Sequence, residues 1–408
     1  MEFFHKFYNE KISNLCFSII TRKYIARRLL IINIDNYNML FQKFIDLIDW
    51  KSLKIASFKL NIDYLTIENH LKALIYFQIA ELDYLRDIHE FMQSKSDLTQ
   101  IIKGVSLGSL SNYNNKIDYT VLLPVINSIL IKSFISIPAN KRIEKFGSVK
   151  LIDSSTISTC ITYFKWAEFR ASKAGIKVHT KFDLGKGIPE TIVVTNAKEH
   201  DKSALEKLIT EKNCIYIFDR AYVDYRCFDG YSQNDKYFIS RLKNNALISE
   251  VKNLDITYCD CNHKLLNKDT EIIYDKIVYL GHNYNYKTKE KYRVIKIVDS
   301  QNREITFVTN IFNLSTEEIS WLYKKRWEIE LFFKWIKQNL KIKRFIGHSL
   351  NAVMMQIISA IMTFLMLKLI EKESITAFGL TIIKRRIKHC LSKKVNSPEF
   401  SWANFLGS

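Results

Sequence analysis

The sequence predicts a mixed α/β protein with a helical N-terminal region and a β-rich insertion. Three observations carry this reading: apolar residues at helical spacing before residue 145, short β-rich runs from Val149, and a return to helical spacing from Thr316. A chain of 408 residues that is 47% hydrophobic can bury a large core and has room for two or three domains.

Residues 1–145 read as helical, for example where Ile67, Leu71, Leu74 and Ile75 recur on one face. The stretch 104–115, rich in Gly, Ser and Asn, predicts a break between helices, either an interhelical loop or the turn of a DNA-binding helical unit. Residues 146–230 form the first part of an α/β core. Their β-rich runs are 149–157, 177–184, 191–195 and 214–218, with turn signals at 185–189 and a helical stretch at 203–209. Residues 231–312 read as the β-rich insertion, clearest at 292–298 and 305–311. Residues 313–375 complete the core, with one helix expected over 321–340 and a second over 350–370. Residues 376–408 form a basic tail with Lys384, Arg385, Arg386 and Lys388.

The formal charge of +19 favours a polyanionic partner, nucleic acid first and membrane phosphate as its rival. The excess is spread along the chain, as a broad basic surface requires. His5, Lys6, Glu10 and Lys11 interrupt the N-terminus, so no secretion signal is expected. The apolar stretch 352–370 carries Gln356, Ser359, Thr363 and Lys368 and reads as a buried core helix, not a membrane span, which needs about 20 apolar residues. Seven cysteines, odd in number and scattered, are expected to be reduced thiols. Cys259, Cys261 and His263 lack the usual spacing of a zinc site.

Two aspartates stand where β-rich runs meet small or polar residues. Asp153 follows Leu151-Ile152 and precedes Ser154-Ser155-Thr156, and Asp219 ends the run Ile215-Tyr216-Ile217-Phe218. In open α/β sheets the carboxyl edge of the strands is where ligands gather. Taken singly, either residue is more often a turn or cap residue, and it is the pair that points to a site. Tyr323, Arg326, Glu330 and Lys337 lie at offsets 0, 3, 7 and 14, which at about 100° per residue falls within roughly a 60° sector of one helix. Leu322, Ile329, Phe333, Ile336 and Leu340 form an adjacent apolar stripe that docks this helix. For that helix alone, a solvated charged edge is the plain alternative.

Together these residues resemble the DDE transposases of bacterial insertion sequences, specifically insertion-sequence family four with its Tyr-Arg-Glu-Lys signature. The signature here is Tyr323, Arg326, Glu330 and Lys337; Asp153-Ser154-Ser155-Thr156 and Asp219-Arg220-Ala221-Tyr222 look like the two aspartate motifs, and Phe307-Val308-Thr309-Asn310 precedes the signature helix. The likeness covers about residues 60–370. Ala221 stands where relatives usually carry Gly, and residues 228–320 contain no Trp for the base-stacking step of some relatives. Tyr237, Phe238, Tyr258, Tyr274, Tyr279, Tyr284 or Tyr286 would have to replace it.

The resemblance implies a ribonuclease H-like core interrupted by the insertion, and cut-and-paste transposition by metal-dependent strand cleavage and strand transfer. It implies Asp153, Asp219 and Glu330 as catalytic metal ligands, with two Mg²⁺ ions per site, replaceable by Mn²⁺. Tyr323, Arg326 and Lys337 would bind DNA phosphates. The implied partners are double-stranded DNA, as terminal inverted repeats and target, and a second copy in a synaptic homodimer. No membrane partner is implied, and the setting is the bacterial cytoplasm, on the nucleoid. The alternatives are a ribonuclease H-like nuclease or resolvase, which cuts without joining, and a catalytically silent DNA-binding descendant.

Overall fold

The computed structural model describes residues 39–407, apart from 95–99, 104–105, 160–163, 171–172, 199–200, 260–264, 267–269, 283–285, 375–377 and 396–399. Up to Glu144 the elements are helical: α1 (Leu40–Ile45), α2 (Trp50–Lys59), α3 (Tyr64–Ala80), α4 (Leu85–Ser94), α5 (Leu107–Lys116), α6 (Leu123–Ser136) and α7 (Lys141–Glu144). Asp49, Asp63 and Ser106 turn side-chain oxygens onto the first free backbone N–H groups of α2, α3 and α5. Ile67, Leu71, Leu74 and Ile75 are all fully buried along α3. Helix α5 occupies much of the stretch expected to be a break. The Ser106 cap and the burial of Leu110 and Asn114 outweigh the weak helix preference of its Ser and Asn residues.

The core follows as β1 (Ser148–Thr159), β2 (Glu168–Arg170), β3 (Lys173–Asp183), β4 (Ile188–Asn196), α8 (Asp201–Leu208), β5 (Cys214–Phe218), α9 (Tyr225–Gln233) and β6 (Lys236–Arg241). Strand β3 runs antiparallel to β1 and β4, whereas β5 is parallel to β1 and β6 parallel to β5. The order β4-β3-β1-β5-β6, three antiparallel strands then two parallel to the first, is the ribonuclease H-like arrangement. Strand β6 lies inside the 231–312 stretch, yet it pairs as the fifth core strand. Its alternation resembles that of the strands that follow it, and only its partner distinguishes it.

Beyond it come β7 (Ile248–Leu254), β8 (Glu271–His282), β9 (Tyr286–Lys287), β10 (Tyr292–Val298) and β11 (Glu304–Thr309). They continue the same sheet from the β6 edge in the order β11-β10-β8-β7, all antiparallel. The chain then returns to helix as α10 (Thr316–Lys324), α11 (Trp327–Asn339), α12 (Leu350–Glu373), α13 (Leu380–Cys390) and α14 (Trp402–Gly407).

Strand β5 is buried on both faces, and its side chains show how the sheet is covered. Ile215 and Ile217 face a core shared with α10, α11 and α12, while Tyr216 and Phe218 face a second core with α8 and α9. Helix α12 is 89% buried over its most apolar window and packs against α3 and α6, as a core helix.

The helix expected over 321–340 is two. Lys325 (φ −67°, ψ −13°) and Arg326 (φ −53°, ψ −28°) stay in the right-handed region, but the amide bonds there run three residues back: Arg326 to Tyr323, Glu328 to Lys325 and Ile329 to Arg326. A tight 3₁₀ turn therefore joins α10 to α11, and Tyr323 belongs to the first of them. Cys214, Cys227 and Cys390 are free thiols, whereas Cys259 is disulfide-bonded, so the expectation of seven reduced thiols is corrected. Cys261 and His263 lie outside the described residues.

His70 on α3 is fully buried, and burial lowers its imidazole from 6.5 to about 4, with the neighbouring Asn114 amide acting weakly the other way. The unfolded chain then binds a proton that the folded chain refuses. Stability from this group is complete above about pH 6.5 and is lost as pH falls towards 4, by about 3 kcal/mol in all. Urea unfolding at pH 7.5 and pH 5 checks this: the wild type loses stability relative to His70→Leu at the lower pH. An equal loss in both proteins would refute it.

Candidate active site

The register of β1 and β5 brings the two aspartates together. Ile152 pairs with Phe218 on the last parallel rung, so Asp153 and Asp219 are the next residues on neighbouring strands. Leu151 and Ile152 anchor β1 in the two cores, one on each face. Asp219 leaves β5 in extended conformation (φ −84°, ψ 166°) and starts the turn Arg220–Tyr222.

Glu330 arrives from α11 with Arg326. One Arg326 nitrogen donates to Asp153 Oδ2 at 3.0 Å and the other to Glu330 Oε1 at 2.5 Å, so a single guanidinium spans sheet and helix. Burial pushes the Asp153 carboxyl up to about 6. Arg326 and the Ser154 N–H oppose this, and the nearby charges of Glu330 and Asp219 add to it. The three carboxylates thus share one electrostatic neighbourhood. Among the described residues, however, no three His, Cys, Asp or Glu groups stand close enough to hold a metal ion together.

Tyr323 stacks on Phe307 of β11, with ring centroids 4.8 Å apart. Burial raises its phenol to about 12, against the pull of Arg326; Asp219 adds to the rise and Arg241 opposes it, which places all three charges beside the ring. Lys337 lies further along β1, its Nζ donating to the Thr156 carbonyl at 3.0 Å. Burial and the charge of Lys343 lower its ammonium pKa. All six residues singled out in the sequence therefore lie over one stretch of β1 and its neighbours.

Sequence reasoning missed the far wall. An open pocket beside Asp219 is lined by Arg220, Ala221, Lys243, Asn244 and Asn245. Three of these follow β6, whose carboxyl end lies beside that of β5 because the strands are parallel. The signal was the polar Lys243-Asn244-Asn245 after a strand, legible only once β6 is placed in the core.

By chemistry alone the donor set suits a hard divalent cation, being all oxygen and anionic, and the upward push that Glu330 and Asp219 exert on Asp153 is a repulsion such a cation would relieve; the three carboxylates do not converge on one point in this structure.

Residues 144–366, more than half of the chain, match the family described as Transposase DDE domain. The chain belongs to this DDE transposase family. It is 29% identical over 220 residues to a probable transposase for insertion sequence element IS5377 of Geobacillus stearothermophilus, covering 54% of this chain and 56% of that one. It is 29% identical over 231 residues to the putative transposase y4zB of Sinorhizobium fredii, covering 56% and 62%. A third relative, a putative transposase for insertion sequence element IS4SA of Synechocystis, is 28% identical over 277 residues, covering 66% and 74%. The match thus spans little more than half the length of the first two relatives. Among solved structures, a chain of the piggyBac transposase synaptic complex with hairpin DNA aligns at a TM-score of 0.42 and 9% identity, over 91% of this chain and 84% of that one.

In this DDE family member, Arg326 is the counter-charge of Asp153 and Glu330, so Arg326→Gln leaves two facing carboxylates. Carboxyl-carbon NMR of the Asp side chains is expected to find Asp153 titrating above about 6 in that variant. An unmoved or lowered midpoint would contradict the arrangement.

Proposed function

We propose that this protein is a DNA transposase that cuts the ends of an insertion element and joins them to target DNA. The observation carrying the proposal is the Arg326 bridge between Asp153 and Glu330, with Asp219 on the adjacent register position, inside the segment that matches the family. The Tyr-Arg-Glu-Lys spacing supports placing it in insertion-sequence family four.

In this reading Asp153, Asp219 and Glu330 hold divalent ions, two Mg²⁺ per site with Mn²⁺ able to substitute. Such ions, when bound, activate the attacking oxygen and stabilise the leaving oxygen of an in-line displacement. The chain's own residues place the phosphate. Arg326 turns its fork from carboxylate to phosphate oxygens, Tyr323 donates from its phenol, and Lys337 acts as a point charge. The residues then hold a strand's 3′-hydroxyl against a second phosphodiester, and the same site that cut the strand joins it.

The helical region before residue 145 would bind the terminal inverted repeats, two copies would pair two ends, and the basic segment 376–408 would add backbone affinity. The protein would act in the cytoplasm, on nucleoid DNA.

Glu330→Gln is expected to reduce cleavage of a cognate element end by roughly a hundred- to a thousandfold, the scale of losing one preorganised electrostatic group at a reacting centre, with DNA binding retained. Cleavage at the wild-type rate would refute the assignment. A pre-cleaved end carrying a 3′-hydroxyl tests joining: transfer into a plasmid is expected, and cutting without any transfer would mark a nuclease or resolvase.

A further inference from the structure

The segment Lys341–Ile346, which follows α11, is held from beneath by two fully buried glutamines. Gln78 of α3 accepts from the Lys341 amide at 2.8 Å and donates to the Gln356 carbonyl at 3.3 Å. Gln356 of α12 accepts from the Ile346 amide at 2.9 Å and donates to the carbonyls of Arg344, at 2.9 Å, and Lys341. Ile342 is buried between them. At Gly347, a Cβ would come within 2.5 Å of the Ala352 Cβ and 2.8 Å of the Asn114 amide nitrogen, so the chain can pass there only as glycine.

On the outer side of this fixed backbone, Lys343 and Arg344 are exposed. Lys341 is paired with Asp83 at 2.8 Å, and Arg344 lies near enough to lower that carboxyl further. Among the described residues no side-chain hydrogen bond or ion pair engages Lys343 or Arg344. Lys343 also stands close enough to Lys337 to disfavour its charge. Lys337 and Lys343 are therefore neighbouring cations, Arg344 is next along the loop towards the Lys341–Asp83 pair, and among the described residues no carboxylate pairs with the Lys343 side chain.

We infer that Lys341–Ile346 is a second DNA-phosphate subsite: Lys343 and Arg344 grip the strand beyond Lys337, and Gln78 and Gln356 are positioning residues that fix the loop in its binding conformation. An anion here relieves the repulsion between Lys337 and Lys343. A loop already held at four backbone atoms loses little entropy on binding, and that is the advantage of preorganisation. The inference rests on the reading that this chain handles DNA, but not on its cutting DNA.

The experiment is equilibrium binding of the full chain to a fluorescein-labelled DNA duplex across a salt series. The double variant Lys343→Ala/Arg344→Ala is expected to flatten the slope of log affinity against log salt by about two, one for each phosphate no longer neutralised. An unchanged slope overturns the subsite. Gln356→Leu keeps both charges but frees the loop; it is expected to weaken binding towards the double variant, and to add little when combined with it. Wild-type affinity in folded Gln356→Leu overturns the positioning role. Should that variant fail to fold, Gln78→Met removes one of the four bonds to the loop and is read in the same way. Nicking of a cognate end, assayed separately, keeps the two readings apart. A protein that shows these slopes and never cuts supports the subsite and refutes the transposase; one that cuts with unaltered slopes does the reverse.

Discussion

Gathering carboxylates on one sheet edge is unfavourable, and Arg326 makes it tolerable in this fold. Its planar fork donates from two nitrogens at once, to β1 and to α11, which a lysine ammonium cannot do with fixed geometry. The tight turn through Lys325 and Arg326 places this arginine at the start of α11, one helical turn before Glu330. One guanidinium stands among three carboxylates, and the Asp153 carboxyl is raised first by burial, with Glu330 and Asp219 adding to the rise and Arg326 opposing it. A site so balanced is prepared for further positive charge and for an anionic group that draws Arg326 away.

The β insertion is bonded into the core and is no mere appendage. Asn310 accepts from the Phe238 amide and donates to the Lys236 carbonyl, while Thr309 donates to the Phe238 carbonyl, so the motif before the signature helix closes β11 onto β6. Deeper in, Arg293 of β10 clamps Asp275 of β8 with both carboxylate oxygens engaged, and reaches the Leu314 carbonyl and the Thr316 hydroxyl. Glu317 accepts from the amides of Cys259, Leu265 and Leu266. A buried charge cluster of this kind holds because every polar atom is answered, and loss of one partner would leave a desolvated charge. The start of α10 is thus fixed by the insertion, and through Tyr323 on Phe307 so is the approach to Glu330.

Much of this was legible in the sequence. Short β-rich runs located β1, β3, β4 and β5, and alternation located β10 and β11. The offsets of Tyr323, Arg326, Glu330 and Lys337 placed them near one another, although Tyr323 proved to sit on the preceding helix. Three things were not legible. The assignment of Lys236–Arg241 to the core depends on a parallel partner, which leaves no local trace. The helix at Leu107–Lys116 is held by a cap and two buried residues that override composition. The walls of the site, from Arg241 to Asn245, are brought beside Asp219 only by the order of strands.

The interruptions of α12 lead from the opposite direction to the same dependence on tertiary partners. Gln356, Ser359 and Thr363 marked the most apolar stretch as unsuited to lipid, and the structure gives each a reason to be polar. Ser359 donates to the Gln356 carbonyl and Thr363 to that of Ser359, both within the helix. Gln356 alone spends its amide outside the helix, on the loop beyond the signature helix. A buried amide is costly unless all its hydrogen bonds are made, so its place in an otherwise apolar helix ties the position of that loop to the packing of the core. The loop from Lys341 to Ile346 is held by a residue that, read in one dimension, was only a blemish in a hydrophobic run.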